Sequence, residues 1–350
     1  MCCVPWSNSV SPRTALFAIV LSCVALLAAC GDAGDKNASV VITGPTMGTT
    51  YAVKLFDSDV EADTLQSQID ALLERINEQM STWRPDSELS RFNNSRDLGW
   101  FPVSAETAYV VDAAAAISAL SDGAFDVTVG PVVNLWGFGP DGGKTGPPSK
   151  PQIEKTMERV GYRQLAVRSS PAALRKQHPH MYVDLSAIAK GFAVDEVARL
   201  LDGRQIQSYL VEIGGELRAR GFKPDGSAWN VAIEQPLPGE RSVQSIVPLR
   251  DSAIATSGDY RNYVERDGKR YSHTINPRTG RPIAHGLASV SVITDSAMRA
   301  DALATAIMVM GPEEGYQLAV REALAVQLII RSAEQFQVLV TPQFERYSSR

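Results

Sequence analysis

The chain has 350 residues, 44% hydrophobic and 21% charged, with a formal net charge of −5. That length can bury one large core or two fused ones, and the acidic balance argues against nucleic acid as a partner. All four cysteines (Cys2, Cys3, Cys23 and Cys30) fall in the first thirty residues, so the body of the chain can form no intramolecular disulfide, and no His/Cys spacing suggests zinc.

The first element is the apolar run "TALFAIVLSCVALLAAC", preceded by one cation, Arg13. From Thr14 to Ala29 it is sixteen residues long, short of the ~20 that a spanning helix needs. Residues 1–29 therefore read as an export signal, not a retained anchor. The ending "LAAC" has the form of a bacterial lipobox, which makes Cys30 the first mature residue and the point of lipid attachment. Gly31 follows, with no aspartate at that position, as in lipoproteins sent on to the outer membrane. Losing Arg13 with the leader takes the net charge from −5 to −6. A body without thiols suits an oxidising periplasm. Residues 30–39, "CGDAGDKNAS", are small and polar and read as a flexible tether, which leaves 40–350 as the folded domain.

"TMGTTYAVKLF" alternates as a strand does, and Leu65, Ile69, Leu72, Leu73 and Ile76 mark one face of an amphipathic helix. A second helix is expected over Ala105 to Leu120, ended at "SDG", where Gly123 suits a left-handed cap. From Gly130 to Pro151 the density of Gly and Pro predicts a long loop. The second half is rich in short β-branched or aromatic runs: "MYVDL", "SYLVEIG", "ELRARGF", "WNVAIE", "AIATS", "RNYVER", "KRYSHTI", "ASVSVIT" and "AVQLIIR". Helices over Ile188–Leu201 and Ser296–Val309 interrupt them. Strand runs with helices set among them give an α+β class over a doubly wound parallel sheet.

Four constellations carry candidate chemistry. In "DLSAIAKGFAVD" (Asp184 to Asp195) a strand feeds a helix whose first turn, Ser186 to Gly191, holds small residues and Lys190. Free backbone N–H groups and one lysine there suit an anion; the plainer alternative is a helix capped by Ser186 with Lys190 in solvent. In "SAMRADALATAIMVMG", Asp301 and Thr305 share one face of an otherwise apolar helix. A carboxylate beside a hydroxyl is hard-oxygen chemistry that magnesium accepts, although an acid at the wet edge of an amphipathic helix has the same spacing. In "YSHTINPRTGRPI", His273 stands at a strand end before a tight turn. It titrates near neutral pH, and a structural histidine is the alternative. In "MSTWRPDSELSRFN", "GAFDVTVGPVVNLWGFGP" and "VEIGGELRARG", Trp83, Phe125, Trp136 and Phe138 suit a flat ring or an ordinary core, and Gly214-Gly215 suits a bulge between strands.

Taken in order with "TMGTTY", "ATSGDYRNY" and "ADALATAIMVMG", these blocks resemble the ApbE-type FAD:protein FMN transferases, along nearly all of the mature chain. The resemblance implies an α+β, T-fold-related architecture of mixed, largely antiparallel sheets with packed helices. It implies that FAD is the substrate, that magnesium is the cofactor, and that FMN passes to a threonine or serine hydroxyl of an acceptor protein with release of AMP. Flavinylated subunits of Rnf- or Nqr-type electron-transfer complexes are the acceptors it suggests. Carried over by motif, Asp301, Thr305 and the carbonyl of Ala187 would hold the metal. Met47, Trp83, Ala124, Phe125, Asp126, Asp184, Lys190 and Ile275 would contact FAD, and His273 is the candidate general base. A magnesium-dependent FAD pyrophosphatase, or a flavin-carrying lipoprotein without turnover, fits the same residues. The chain departs from the common pattern at Trp83, where tyrosine often stands, at Lys190 and Asn276, where some relatives have acids, and at Ala304, where some carry a second acid.

Overall fold

The computed structural model describes residues 39–56, 60–140, 146–237, 242–259, 263–266, 269–332 and 335–348; the expected leader, Cys30 and the tether up to residue 38 lie outside them. The first half runs β1 (Ser39–Thr46), β2 (Thr49–Phe56), α1 (Ala62–Met80), α2 (Glu88–Asn94), β3 (Phe101–Pro102), α3 (Ala105–Leu120), α4 (Gly130–Trp136), α5 (Lys150–Met157), β4 (Leu165–Ser169) and β5 (Ala172–Lys176). Next come α6 (Ala189–Gly203), β6 (Tyr209–Ile213), β7 (Glu216–Arg220), β8 (Trp229–Glu234), β9 (Val243–Leu249), β10 (Ser252–Gly258), β11 (Tyr263–Arg266), β12 (Lys269–Ser272), β13 (Ile275–Asn276) and β14 (Arg281–Pro282). The chain finishes with β15 (Leu287–Thr294), α7 (Ala297–Met310), α8 (Pro312–Arg321), β16 (Ala325–Arg331) and β17 (Phe336–Val340).

Eight strands form one sheet in the order β1-β2-β6-β7-β10-β15-β16-β17, with every neighbouring pair antiparallel. The α+β expectation therefore holds. Period-two alternation gives the sheet two apolar faces. Val53, Val211, Ala255, Val292 and Leu328 turn toward the main core with α1, α3, α6 and α7. Ile254, Ile293 and Ile329 turn the other way, under the β8–β9 hairpin and Phe344. A third cluster joins α4 and α5 to Ile275. None of the described helices is long and apolar enough to cross a membrane.

Several local expectations change. "TMGTTYAVKLF" is not one strand: Met47 (φ 48°) and Gly48 (φ 71°) form a two-residue turn between β1 and β2, the positive-φ geometry that suits tight hairpins. Gly214 and Gly215 are likewise the turn of the β6–β7 hairpin, not a bulge, since Ile213 pairs directly with Glu216. The Gly/Pro-rich stretch after Gly130 opens as helix α4, with a proline in its first turn and Gly137 closing it in left-handed geometry; those residues are caps here. "MYVDL" joins no sheet. Its backbone is held instead by Asn93, whose amide donates to Val183 O (2.9 Å) and accepts from Val183 N (2.8 Å), and by Asp184 N donating to Val127 O (2.7 Å). "KRYSHTI" breaks at His273 and Thr274, between β12 and β13. Helix 105–120 ends as expected, Gly123 N–H returning to Ser118 O.

The α6–α7 contact fixes the layer beneath the site. A Cβ on Gly191 would collide with the backbone carbonyl of Ala297, so only glycine lets the two helices approach this closely. Asp195, one turn further along α6, accepts the N–H groups of Ala297 and Met298 (both 3.0 Å) and the Ser296 hydroxyl (2.7 Å), and pairs with Arg218. It thus caps the start of α7 from a neighbouring helix.

Candidate active site

A cleft of 1060 Å³ opens where the turn of the β6–β7 hairpin, the end of β10 and the approach to α6 converge. Its lining includes Trp83, the Ala124-Phe125-Asp126 segment, Asp184, Ala187 and Lys190. From the last third of the chain come His273, Ile275, Asp301 and Thr305. Met47 stands apart: it packs against the main core at the tip of the β1–β2 hairpin, whose Thr49 lies beside Gly214, a residue of the cleft lining.

The approach to α6 is a turn, not the helix start that the sequence suggests. Ser186 to Ile188 precede the helix, which begins at Ala189. Ser186 does not cap it; its N–H (2.9 Å) and hydroxyl both donate to Asp184 Oδ1. That small loop presents Ala187 to the cleft, while the side chain of Asp184 is spent on shaping it. The Asp126 carboxylate is similarly committed: it accepts Thr128 N (2.8 Å), Thr128 Oγ1 (2.6 Å) and Tyr162 N (2.8 Å), and burial pushes its pKa up. Arg278 binds this region to the histidine segment, donating to Ser121 O (2.8 Å) and Asp122 O (3.1 Å). Asn276 shapes the same turn by accepting Arg278 N–H (2.8 Å). Trp136 Nε1 donates to Gly280 O (2.9 Å) on the far side of that turn.

At the floor, Asp301 is 4% exposed and accepts one backbone N–H, from Gly191, at 3.1 Å. Thr305 shares a hydrogen bond with Ser257 (3.2 Å). Lys190 is not in solvent: its Nζ lies 2.6 Å from Glu216 Oε2. Burial opposes the lysine charge, and the carboxylates of Asp301 and Glu216 outweigh it, holding the ammonium above its ordinary range. Burial raises the Asp301 pKa, against the pull of Lys190. Glu216, at 3% exposure, is pushed up to about 8, first by burial and then by Asp301. Two buried acids thus share one cation, an arrangement short of positive charge.

Glu216 is the functional candidate that the sequence reading missed. It lies in the quoted "VEIGGELRARG" block, where no local signal marks it, since the same strand pair also carries Glu212, Arg218 and Arg220. It also changes the meaning of Ala304: the second carboxylate near Asp301 comes from β7 instead of from the next turn of α7. Among the described residues no group of three or more His, Cys, Asp or Glu forms a metal cage. Asp301, Thr305 and Ala187 line the cleft together, and a carboxylate, a hydroxyl and a peptide carbonyl are all hard oxygen donors.

A family model described as the ApbE family matches residues 47–330. The chain is 46% identical over 334 residues to a FAD:protein FMN transferase of Vibrio cholerae serotype O1, covering 95% of this chain and 98% of that one. It is 43% identical over 310 residues to a FAD:protein FMN transferase of Escherichia coli K12, 88% of each chain. The solved flavin transferase ApbE from Vibrio cholerae superposes with a TM-score of 0.83 at 46% identity, over 89% of this chain and 99% of that one. The apo form of the Pseudomonas stutzeri flavinyl transferase ApbE gives 0.82 at 42% identity, over 89% and 97%. By sequence along most of its length and by fold, the chain belongs to the ApbE family.

Proposed function

We propose that the chain transfers the FMN moiety of FAD to a threonine or serine hydroxyl of an acceptor protein, forming a phosphoester bond and releasing AMP, with magnesium as cofactor. The observation that carries this reading is the meeting of Asp301, Thr305, Ala187, Lys190 and His273 in one cleft, in a chain 46% identical to a protein named FAD:protein FMN transferase.

In this reading the acceptor oxygen forms a bond to the FMN phosphorus, the pyrophosphate bond to AMP breaks, and the hydroxyl proton goes to His273. General-base assistance of this kind contributes ~10²–10⁴-fold. Asp301, Thr305 and the Ala187 carbonyl suit magnesium, which takes one or two carboxylates and leaves positions for water and phosphate. Bound there, the ion would neutralise charge developing on the departing phosphate. Lys190 supplies a nearby point charge that Glu216 holds in place, and the small residues at 187 and 189 let a phosphate approach the backbone. Trp83, 67% exposed on the cleft wall, offers a face for a flat ring.

We further propose that lipid on Cys30 anchors the protein to a bacterial membrane on the periplasmic side, the outer membrane over the inner, and that Rnf- or Nqr-type subunits are acceptors. Support comes from the lipobox and from the resemblance in sequence. A protein whose residues 1–30 are replaced by an export leader that is removed without lipidation is expected in the soluble periplasmic fraction; membrane retention of that variant would overturn the anchor.

The test is incubation with FAD, magnesium and a threonine-bearing acceptor, read by mass spectrometry. Covalent FMN on the acceptor is expected, and free FMN with an unmodified acceptor would assign a pyrophosphatase instead. His273→Asn should slow transfer while retaining FAD binding; transfer at the parental rate removes His273 from the mechanism.

A further inference from the structure

The cleft extends beyond the residues assigned to FAD and the metal. From the β6–β7 turn it continues as a groove lined on one side by Leu210, Leu217, Ile254 and Thr256 of the main sheet, and on the other by β8, from Asn230 to Glu234. None of the candidate FAD or metal residues lies on β6, β7, β8 or β10. Leu210 and Leu217, both partly buried, pack against the apolar cluster that holds Val231 and Ile233.

The β8 side of the groove is a strand edge. Among the described residues β8 pairs with β9 and with no other strand, and no residue of β9 lines the cleft. Pro248 of β9 stands opposite Asn230. Having no N–H, a proline suits a position whose backbone points away from the partner strand, which makes Asn230–Pro248 a pair without mutual hydrogen bonds. Such pairs alternate along an antiparallel ladder, so Ala232–Ile246 is the next one. The N–H and C=O groups of Asn230 and Ala232 therefore point out of the hairpin, on the side of the groove, and both residues are exposed. Natural sheets commonly blunt an open edge with a charge, a proline or a bulge; Asn230-Val231-Ala232 carries none of these.

We infer that the acceptor protein presents its receiving hydroxyl on an extended segment that adds to the free edge of β8 as a third strand of that sheet. This rests on the transferase reading. Main-chain hydrogen bonds would hold such a segment in fixed register beside the chemistry, whatever its side chains, which alternate between the groove and solvent. The groove leads to the proposed metal residues: Ser257, next to Thr256 on β10, shares its hydrogen bond with Thr305 (3.2 Å).

The test uses the full chain, FAD and magnesium, with a short peptide spanning the receiving threonine of the acceptor protein. Successive N–H groups of a strand point to opposite sides. Methylating them one at a time should raise the peptide KM about tenfold at every second position and change it little at those between. Ala232→Pro removes an edge N–H that makes no bond to β9. It should raise the KM of the unmethylated peptide about tenfold, while kcat, the FAD dissociation constant and the far-UV spectrum stay parental. An equal response to methylation at all positions overturns the inference, whether or not Ala232→Pro folds. So does a parental KM in the folded variant, or a loss of its FAD affinity, which would give the groove to the dinucleotide. Release of free FMN with no modified peptide would fail the transferase reading itself, a different result from equal modification of every methylated peptide.

Discussion

Helices α6 and α7 each lend the other a carboxylate, and the two exchanges differ in how completely they are satisfied. Asp195 of α6 is surrounded by two backbone N–H groups, a serine hydroxyl and Arg218. Asp301 of α7 accepts a single N–H, from Gly191, and shares Lys190 with Glu216. Both acids are buried, so burial alone does not separate structure from function. Donor count does: a carboxylate with every lone pair met is a strut, whereas one with few donors at the floor of a cleft is available to a cation.

Removing each carboxylate should show the difference. The largest effect is expected for Asp195→Ala, a loss of about 3–5 kcal/mol of stability, because Arg218 and the first N–H groups of α7 lose their partner; denaturant unfolding measures it. A shift under 1 kcal/mol would make Asp195 no strut. For Asp301→Asn, covalent FMN transfer should fall by more than ~100-fold, equivalent to about 2.7 kcal/mol of barrier, while the melting temperature in metal-free buffer stays level or rises. Full activity in that variant would place the metal elsewhere. Gly191→Ala should cost about 1–3 kcal/mol as Ala297 is pushed away, and magnesium affinity should fall with it; unchanged unfolding would show that the helices can part without strain.

The last expected effect is on pH. The folded Glu216 pKa, about 8, lies above its ordinary value of 4.5, so between these limits the folded state keeps a proton that the unfolded state has released. Metal-free stability should therefore decline as pH rises from 4.5 to about 8, and Glu216→Gln should flatten that slope. A slope of the same size in the variant would assign it to another group.

Much of the candidate site was legible because its residues sit in short blocks whose order survives without knowledge of the fold. Trp83, Phe125, Lys190, His273, Asp301 and Thr305 all reach the cleft. Glu216 was not readable, since nothing local distinguishes an inward glutamate on a five-residue strand from an exposed one. Helix α4 was hidden for a different reason: proline and glycine at its ends carry the same letters as a loop. "MYVDL" reads as a strand by composition, but the two hydrogen bonds of Val183 go to the side chain of an asparagine ninety positions earlier instead of to a strand. Met47, quoted within one strand, proved to be a turn residue, because hairpin geometry depends on where the partner strand begins.

From residues alone came the α+β class, the faces of α1 and α7, and the pairing of Asp301 with Thr305, all of which follow from periodicities of two and 3.6 along a single segment. The tertiary structure alone decided that Lys190 faces two acids and that Asp195 caps a helix a hundred residues away. Each of these depends on distances between segments remote in sequence, and on how far water is excluded between them, which no local pattern encodes.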